Sequence, residues 1–249
     1  MHQPLLSHEP LREGVLITGG GRGLGAALGA ELARRGARVL LVARSQRDID
    51  GVVAQIREET PRASVFGLAA DVSDQRDTHR IAAVAADTLE ATTALIHCAS
   101  SLGPVPLRPL DELSCEAMSE VFETNVIGPF RLTKALVGHM NLSRRGLVVH
   151  VTSDTARAAY PRWGAYGASK AAFDQLMSVW AAELPWPALR FVSVDPGEMD
   201  TLMHAEALPD ADRTALAKPA AVARDLVAHL FAPATSSRGQ RVDRHGAPL

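Results

Sequence analysis

The chain has 249 residues, which suits one large domain whose core holds without disulfides or metals. Hydrophobic residues make up 47%, charged residues 22%, and the formal net charge is −2. No basic excess exists for nucleic acid or anionic lipid, so neither is expected as a partner. Two cysteines, Cys98 and Cys115, and scattered histidines exclude a disulfide scaffold and offer no spaced metal site.

In chain order, residues 1–11 carry Pro4 and Pro10 without an apolar signal core. They read as a loose N-terminal arm, with the cytoplasm as the expected location. Short β-branched runs then alternate with longer helical patterns. Strands are expected at Val15–Thr18, Arg38–Ala43, Ser64–Leu68, Ala94–Cys98, Leu147–Thr152, Arg190–Val194 and Gln240–Asp243. Helices are expected at Leu24–Arg35, Gln46–Glu58, Gln75–Glu90, Asp111–Met140, Ala165–Leu184 and, after Pro219, Ala220–Phe231. The strands are apolar on both faces, as a sheet covered by helices on both sides requires. This order predicts one α/β domain over 1–249, a doubly wound parallel sheet of about seven strands with right-handed crossovers. Leu208–Asp212 and Pro233–Gly239 read as surface loops. The apolar runs are too short to span a bilayer.

Between the first strand and the first helix lies Thr18-Gly19-Gly20-Gly21-Arg22-Gly23-Leu24-Gly25. Glycines let the backbone turn sharply and approach a pyrophosphate without Cβ clashes. The helix start then offers free N–H groups and the positive end of its dipole. Its place at the first strand–helix junction makes the loop a dinucleotide site rather than a bare turn. An NAD site usually ends the second strand with an acid on the ribose 2′-hydroxyl. Here that strand ends Val42-Ala43-Arg44-Ser45. Arg22 and Arg44 can converge on a 2′-phosphate, each charge-assisted contact contributing roughly 1.5–3 kcal/mol, which favours NADP(H). Asp48, one helical turn past Arg44, is the other partner open to that arginine.

Tyr166 and Lys170 are four residues apart in a helical stretch and project from one face. A neighbouring ammonium is expected to lower the phenol from its usual value near pH 10. Ser153 ends the fifth strand, placed to hold a substrate carbonyl or alcohol oxygen.

These residues together resemble the short-chain dehydrogenase/reductase family over nearly the whole chain, which implies a Rossmann fold. Thr18–Gly25 is similar to its glycine signature, and Ser153, Tyr166 and Lys170 to its catalytic triad. Asn125, in Thr124-Asn125-Val126, matches the helix asparagine that completes the catalytic group through a water near the lysine. Asp71-Val72 matches the pair that holds the adenine. Pro196-Gly197, Thr201 and the Met199 backbone match the segment that binds the nicotinamide carboxamide. Arg22 and Arg44 match the basic positions of NADP-preferring members, and Gly239–Gly246 resembles a worn copy of the last strand and turn. One motif departs: His97-Cys98-Ala99-Ser100 stands where the family usually has Asn-Asn-Ala-Gly. Ala99 and Ser100 can still line the cofactor ribose through backbone, and a strand-end His or Cys reads as packed rather than as metal or thiol chemistry. Short stretches, Ser101-Leu102-Gly103 and Trp163-Gly164-Ala165-Tyr166 among them, resemble sepiapterin reductases, and no pterin substrate is carried over from them.

The resemblance implies hydride transfer between NADP(H) and a small carbonyl or alcohol, with Tyr166 as general acid/base. A catalytically silent NADP(H)-binding sensor or scaffold is the alternative. Ser101–Pro104, Arg157–Trp163 and Met199–Ala207 are expected to wall a fairly small apolar pocket through Leu102, Tyr160, Trp163, Leu202 and Met203. Arg157 or His204 could meet a polar substrate group there. Phe173, Leu176, Met177, Trp180 and Leu184 form a helical stripe that is either core or part of the two-fold interface of a homodimer or homotetramer.

Overall fold

The computed structural model describes residues 11–142, 146–184, 189–232 and 239–249. The expected N-terminal arm, apart from Leu11, and the loop at 233–238 lie outside the described residues.

Seven parallel strands make one sheet: β1 (Gly14–Thr18), β2 (Arg38–Ala43), β3 (Val65–Ala69), β4 (Ala94–His97), β5 (Gly146–Val151), β6 (Leu189–Asp195) and β7 (Gln240–Asp243). Their spatial order is β3-β2-β1-β4-β5-β6-β7, so the order reverses beside β1 and leaves a crevice between the β1 and β4 exits. Alternate strand residues point to opposite faces. Val15, Ile17, Val39, Leu41, Ile96 and Val149 pack beneath α1 (Gly23–Arg34), α2 (Gln46–Glu59) and α8 (Pro219–Leu230). Leu16, Leu40, Leu95, Val148 and Phe191 face α3 (Gln75–Thr88), α5 (Gly128–Leu142) and α6 (Gly164–Glu183). Two separate cores therefore clamp one sheet, which makes the strand exits a firm platform for loops.

Strand positions agree with expectation to within a residue or so at each end. The expected helix Asp111–Met140 does not form as one piece. Leu110–Glu112 is a 3₁₀ turn, and Ser114 caps α4 (Cys115–Phe122) by accepting from the Ala117 N–H at 3.1 Å. A π-turn at Glu123–Ile127 separates α4 from α5. Helical periodicity runs through all three pieces, and a π-turn adds one residue without breaking the apolar stripe, so sequence pattern does not expose it. Between β6 and the expected loop Leu208–Asp212 lies a short helix that the sequence reading did not expect, α7 (Leu202–Ala207), which Thr201 caps by accepting from the His204 N–H at 3.2 Å.

Candidate active site

A cleft of about 1480 Å³ opens along the carboxyl edge of the sheet. Pockets for drug-sized ligands hold roughly 300–1,000 Å³, so this one has room for a dinucleotide and a second small molecule. Every residue expected to touch the cofactor, from Gly19 to Thr201, lines it, together with Ser153, Tyr166 and Lys170. Asn125 alone is set behind the wall.

At the β1 exit, Gly19 has φ +70°, and a Cβ there would lie 2.6 Å from the Ala99 nitrogen. A Cβ on Gly25 would lie 2.3 Å from the Gly19 carbonyl oxygen, so the first turn of α1 presses directly on the loop. That helix starts with no side-chain cap and no acid in its first turn, leaving its N-terminal N–H groups and dipole for an anion. Arg22 and Arg44 both line the cleft at this end, and neither guanidinium makes a hydrogen bond or ion pair among the described residues. Asp48 is not paired with Arg44; its N–H donates to the Ser45 hydroxyl, which caps α2. Glycine cradle, bare helix start and two unpartnered guanidinium groups fit a phosphorylated dinucleotide. Beyond them, Asp71 folds onto itself, accepting from the Ser73 N–H at 2.9 Å and the Ser73 hydroxyl at 2.7 Å. Val72 is pressed against Gly128, where a Cβ would lie 2.3 Å from the Val72 carbonyl oxygen.

At the β5 exit and the start of α6, Ser153, Tyr166 and Lys170 converge. Lys170, with 2% exposure, donates to the Val151 carbonyl at 2.7 Å and holds its ammonium 5.4 Å from the centre of the Tyr166 ring. Burial drops Lys170 to about 8, against the weaker pull of Cys98 and Asp174. The Tyr166 phenol is pushed up, not down. Burial is the main cause; Asp195 and Asp154 add to it, while the Ser153 and Ser100 hydroxyls oppose it. The expectation of a lysine-lowered phenol is thus corrected, because Lys170 sits over the ring and the phenol is nearly sealed from water. Ser153 donates its hydroxyl to Asp154 at 2.9 Å and accepts from the Thr155 hydroxyl at 3.0 Å. Asp154 also accepts from Tyr160 at 2.8 Å, which raises the Tyr160 phenol as well.

Asn125 is 1% exposed within the π-turn. Its amide accepts from the Ser101 N–H at 2.7 Å and the Ser100 hydroxyl at 3.2 Å, and donates to the Ser101 carbonyl at 2.8 Å and the Ser169 hydroxyl at 2.9 Å. An amide side chain has four such places, and all are taken. The side chain therefore clamps the β4 exit to α6, and only its main chain is left for a water relay.

His97 and Cys98 are packed. The His97 Nε2 lies 2.9 Å from the Thr133 hydroxyl, the ring meets Phe173 edge-on, and burial drops its pKa to about 3. Burial pushes the Cys98 thiol up to about 12. Among the described residues no cluster of three His, Cys, Asp or Glu side chains is placed to hold a metal, and no helix is long and apolar enough to cross a membrane.

On the substrate side, Leu102, Tyr160, Trp163, Leu202, Met203 and His204 line the cleft as expected, whereas Arg157 does not. Motif reading missed Asp154, Ser169 and the half-buried charges Asp174, Asp195 and Arg241 around the site. Asp154 adjoins Ser153 in sequence; the others carry no local signal, Arg241 included, since its strand reads Gln240-Arg241-Val242-Asp243.

The family model for short-chain dehydrogenases matches residues 13–212. YciK, an uncharacterised oxidoreductase of Escherichia coli, is 32% identical over 209 residues, 83% of this chain and 81% of the relative. Its structure superimposes with a TM-score of 0.86 over 98% of this chain and 99% of that one. The sepiapterin reductase of Xenopus laevis is 35% identical over 76% of this chain and 74% of its own length. A Shigella flexneri chain described as a short-chain dehydrogenase and crystallised with NADP has 29% identity and a TM-score of 0.84, over 92% and 95% of the two chains. The likeness extends from the glycine loop through the Ser153–Tyr166–Lys170 cluster, and this chain belongs to the short-chain dehydrogenase family of oxidoreductases.

Proposed function

We propose that the protein is an NADP(H)-dependent oxidoreductase that interconverts a small carbonyl compound and its alcohol. Bound NADP(H) supplies or accepts the hydride. One observation carries the reading: the Tyr166 phenol, the Lys170 ammonium and the Ser153 hydroxyl share one wall of the cleft that the glycine loop opens. The unpartnered Arg22 and Arg44 support the phosphorylated dinucleotide, as do the relatives crystallised with NADP and NADPH.

Tyr166 gives the substrate oxygen a proton in reduction and removes it in oxidation. A phenol held above its usual range is protonated throughout the physiological span, which suits the reductive direction. The Ser153 hydroxyl lies between Asp154, at 2.9 Å, and the Tyr166 phenol, and turning its one O–H toward a substrate oxygen exchanges one acceptor for another. Lys170 fills the space between the Val151 carbonyl and the Tyr166 ring and supplies positive charge there. Leu102, Trp163 and Met203 exclude water from the reacting end, which strengthens each of these contacts. A homodimer or homotetramer packed through α5 and α6, where Leu142 and Val179 are exposed, completes the proposal and is read by light scattering.

Purified protein should oxidise NADPH with at least one member of a panel of small ketones, aldehydes and dicarbonyls, and use NADH markedly less well. Tight NADPH binding with no turnover across the panel would replace the enzyme by a nucleotide sensor.

A further inference from the structure

Burying a charge costs several kcal/mol unless it is paired and hydrogen-bonded. Arg241 is such a charge, on the last strand with 7% of its side chain exposed. Its guanidinium reaches three other elements. One nitrogen, Nη1, donates to Asp174 Oδ2 on α6 at 2.8 Å and to the Thr152 hydroxyl at 3.5 Å. The other, Nη2, donates to the Ser153 carbonyl at 2.8 Å and to Asp195 Oδ2 at 2.9 Å. Thr152 closes the ring by donating to Asp174 Oδ2 at 2.9 Å.

Each of these partners adjoins a working group. The Ser153 carbonyl belongs to the residue whose hydroxyl faces Tyr166. Asp174 lies one helical turn past Lys170 on the same helix. Asp195 ends β6 and accepts from the Gly197 N–H at 3.0 Å, which shapes the turn at φ +71° next to Pro196. A planar fork with donors on two sides suits this task, and an ammonium could not span the same acceptors at once. We propose that Arg241 is a positioning residue for hydride transfer: through Ser153, Asp174 and Asp195 it holds the β5 exit, α6 and the Pro196–Gly197 turn in one register around Tyr166.

The inference rests on the proposed reductase reading, and its test keeps the two apart. Tyr166 is faced by Asp195 from β6, Asp154 and Ser153 from the β5 exit, Ser100 from the β4 exit and Lys170 from its own helix. Arg241 stands against Asp195, so it tempers that carboxylate's action on the phenol. The sequence has two tyrosines, Tyr160 and Tyr166. In a Tyr160→Phe background, phenolate absorbance therefore reports Tyr166 alone and needs no turnover. Arg241→Gln, Arg241→Lys and Asp195→Asn are made in that background and titrated. The same substitutions in the otherwise unaltered chain are assayed with NADPH and the best carbonyl substrate, with NADPH binding followed by fluorescence.

Phenolate formation should move to higher pH in Arg241→Gln and to lower pH in Asp195→Asn. Turnover in Arg241→Gln should fall about ten- to a hundredfold, the range for losing a group that orients a reacting one, with NADPH affinity changed far less. Arg241→Lys should recover part of the turnover. An unmoved Tyr166 titration in both Arg241→Gln and Asp195→Asn, or a turnover loss matched by an equal loss of NADPH binding, would leave Arg241 a structural clamp and overturn the proposal. If Arg241→Gln does not fold, Arg241→Lys and Asp195→Asn decide the matter by the same readings. A wild-type protein inactive on the whole panel, but with the expected titration shifts, would count against the reductase reading and leave the placement of Arg241 standing.

Discussion

The two ends of the cleft are built by different means. At the β1–β2 end, the ligand surface is backbone: a left-handed glycine, a helix start without a cap, and two exposed arginines with no partner among the described residues. At the β4–β7 end, the surface is side chain, largely buried and tied by hydrogen bonds to the elements around it. Asn125 makes four hydrogen bonds, Lys170 is tied to Val151, and Arg241 gathers four acceptors. The open end presents main-chain N–H groups and positive charge that suit an anion. The closed end has its geometry enforced from behind, which is what proton transfer over a hydrogen-bond distance demands.

The contrast can be broken at either end. The largest effect is expected from Tyr166→Phe, which removes the proposed proton donor while keeping the ring against Trp163 and Lys170. Turnover should drop about a hundredfold or more with NADPH binding retained, measured by steady-state kinetics and fluorescence titration. Undiminished turnover would take Tyr166 out of the mechanism and dissolve the distinction between the ends. A smaller and opposite pattern is expected from Arg44→Ala. Its loss should cut the preference for NADPH over NADH about tenfold or more while turnover at saturating cofactor stays near wild type. Equal NADPH and NADH binding in both proteins would remove the arginine argument.

A third effect, on stability rather than on turnover or binding, sharpens the comparison. Lys170 is lowered from 10.5 to about 8 by burial. Between those values the unfolded chain holds a proton that the folded chain has released, so folding gains stability as pH rises through that window. At one pKa unit per 1.36 kcal/mol, the gain is about 3 kcal/mol. Thermal melts of wild type and Lys170→Met from pH 7.5 to 10.5 should therefore diverge in favour of the wild type as pH rises. Arg22→Ala and Arg44→Ala, at the exposed end, should show no such divergence. A constant gap between wild type and Lys170→Met would mean that the ammonium is not buried as described.

Legibility in the sequence followed the same division. Gly19–Gly25, Arg22 and Arg44 were readable because a phosphate loop is local: the residues that make it are consecutive, and the strand and helix around it declare themselves by periodicity. The Ser153, Tyr166 and Lys170 spacing was readable for the same reason, one strand end and one helix turn. The state of those groups was not. The lowered Tyr166 phenol expected from spacing is raised in the fold, since burial and two carboxylates from separate strand exits act on it. The π-turn at Glu123–Ile127, the saturation of the Asn125 amide and the convergence on Arg241 had no local signature.

Composition, periodicity and motif spacing by themselves determined the layered α/β fold and the strand exits that carry the site, and the motifs at those exits carried the resemblance to the family. All of these depend on contacts close in sequence or on a repeating apolar pattern. Only the tertiary structure decided which polar groups are spent and which are free, because that depends on partners tens of residues apart. Ser153 and Arg241, separated by 88 positions and joined by a single hydrogen bond of 2.8 Å, are the plainest instance.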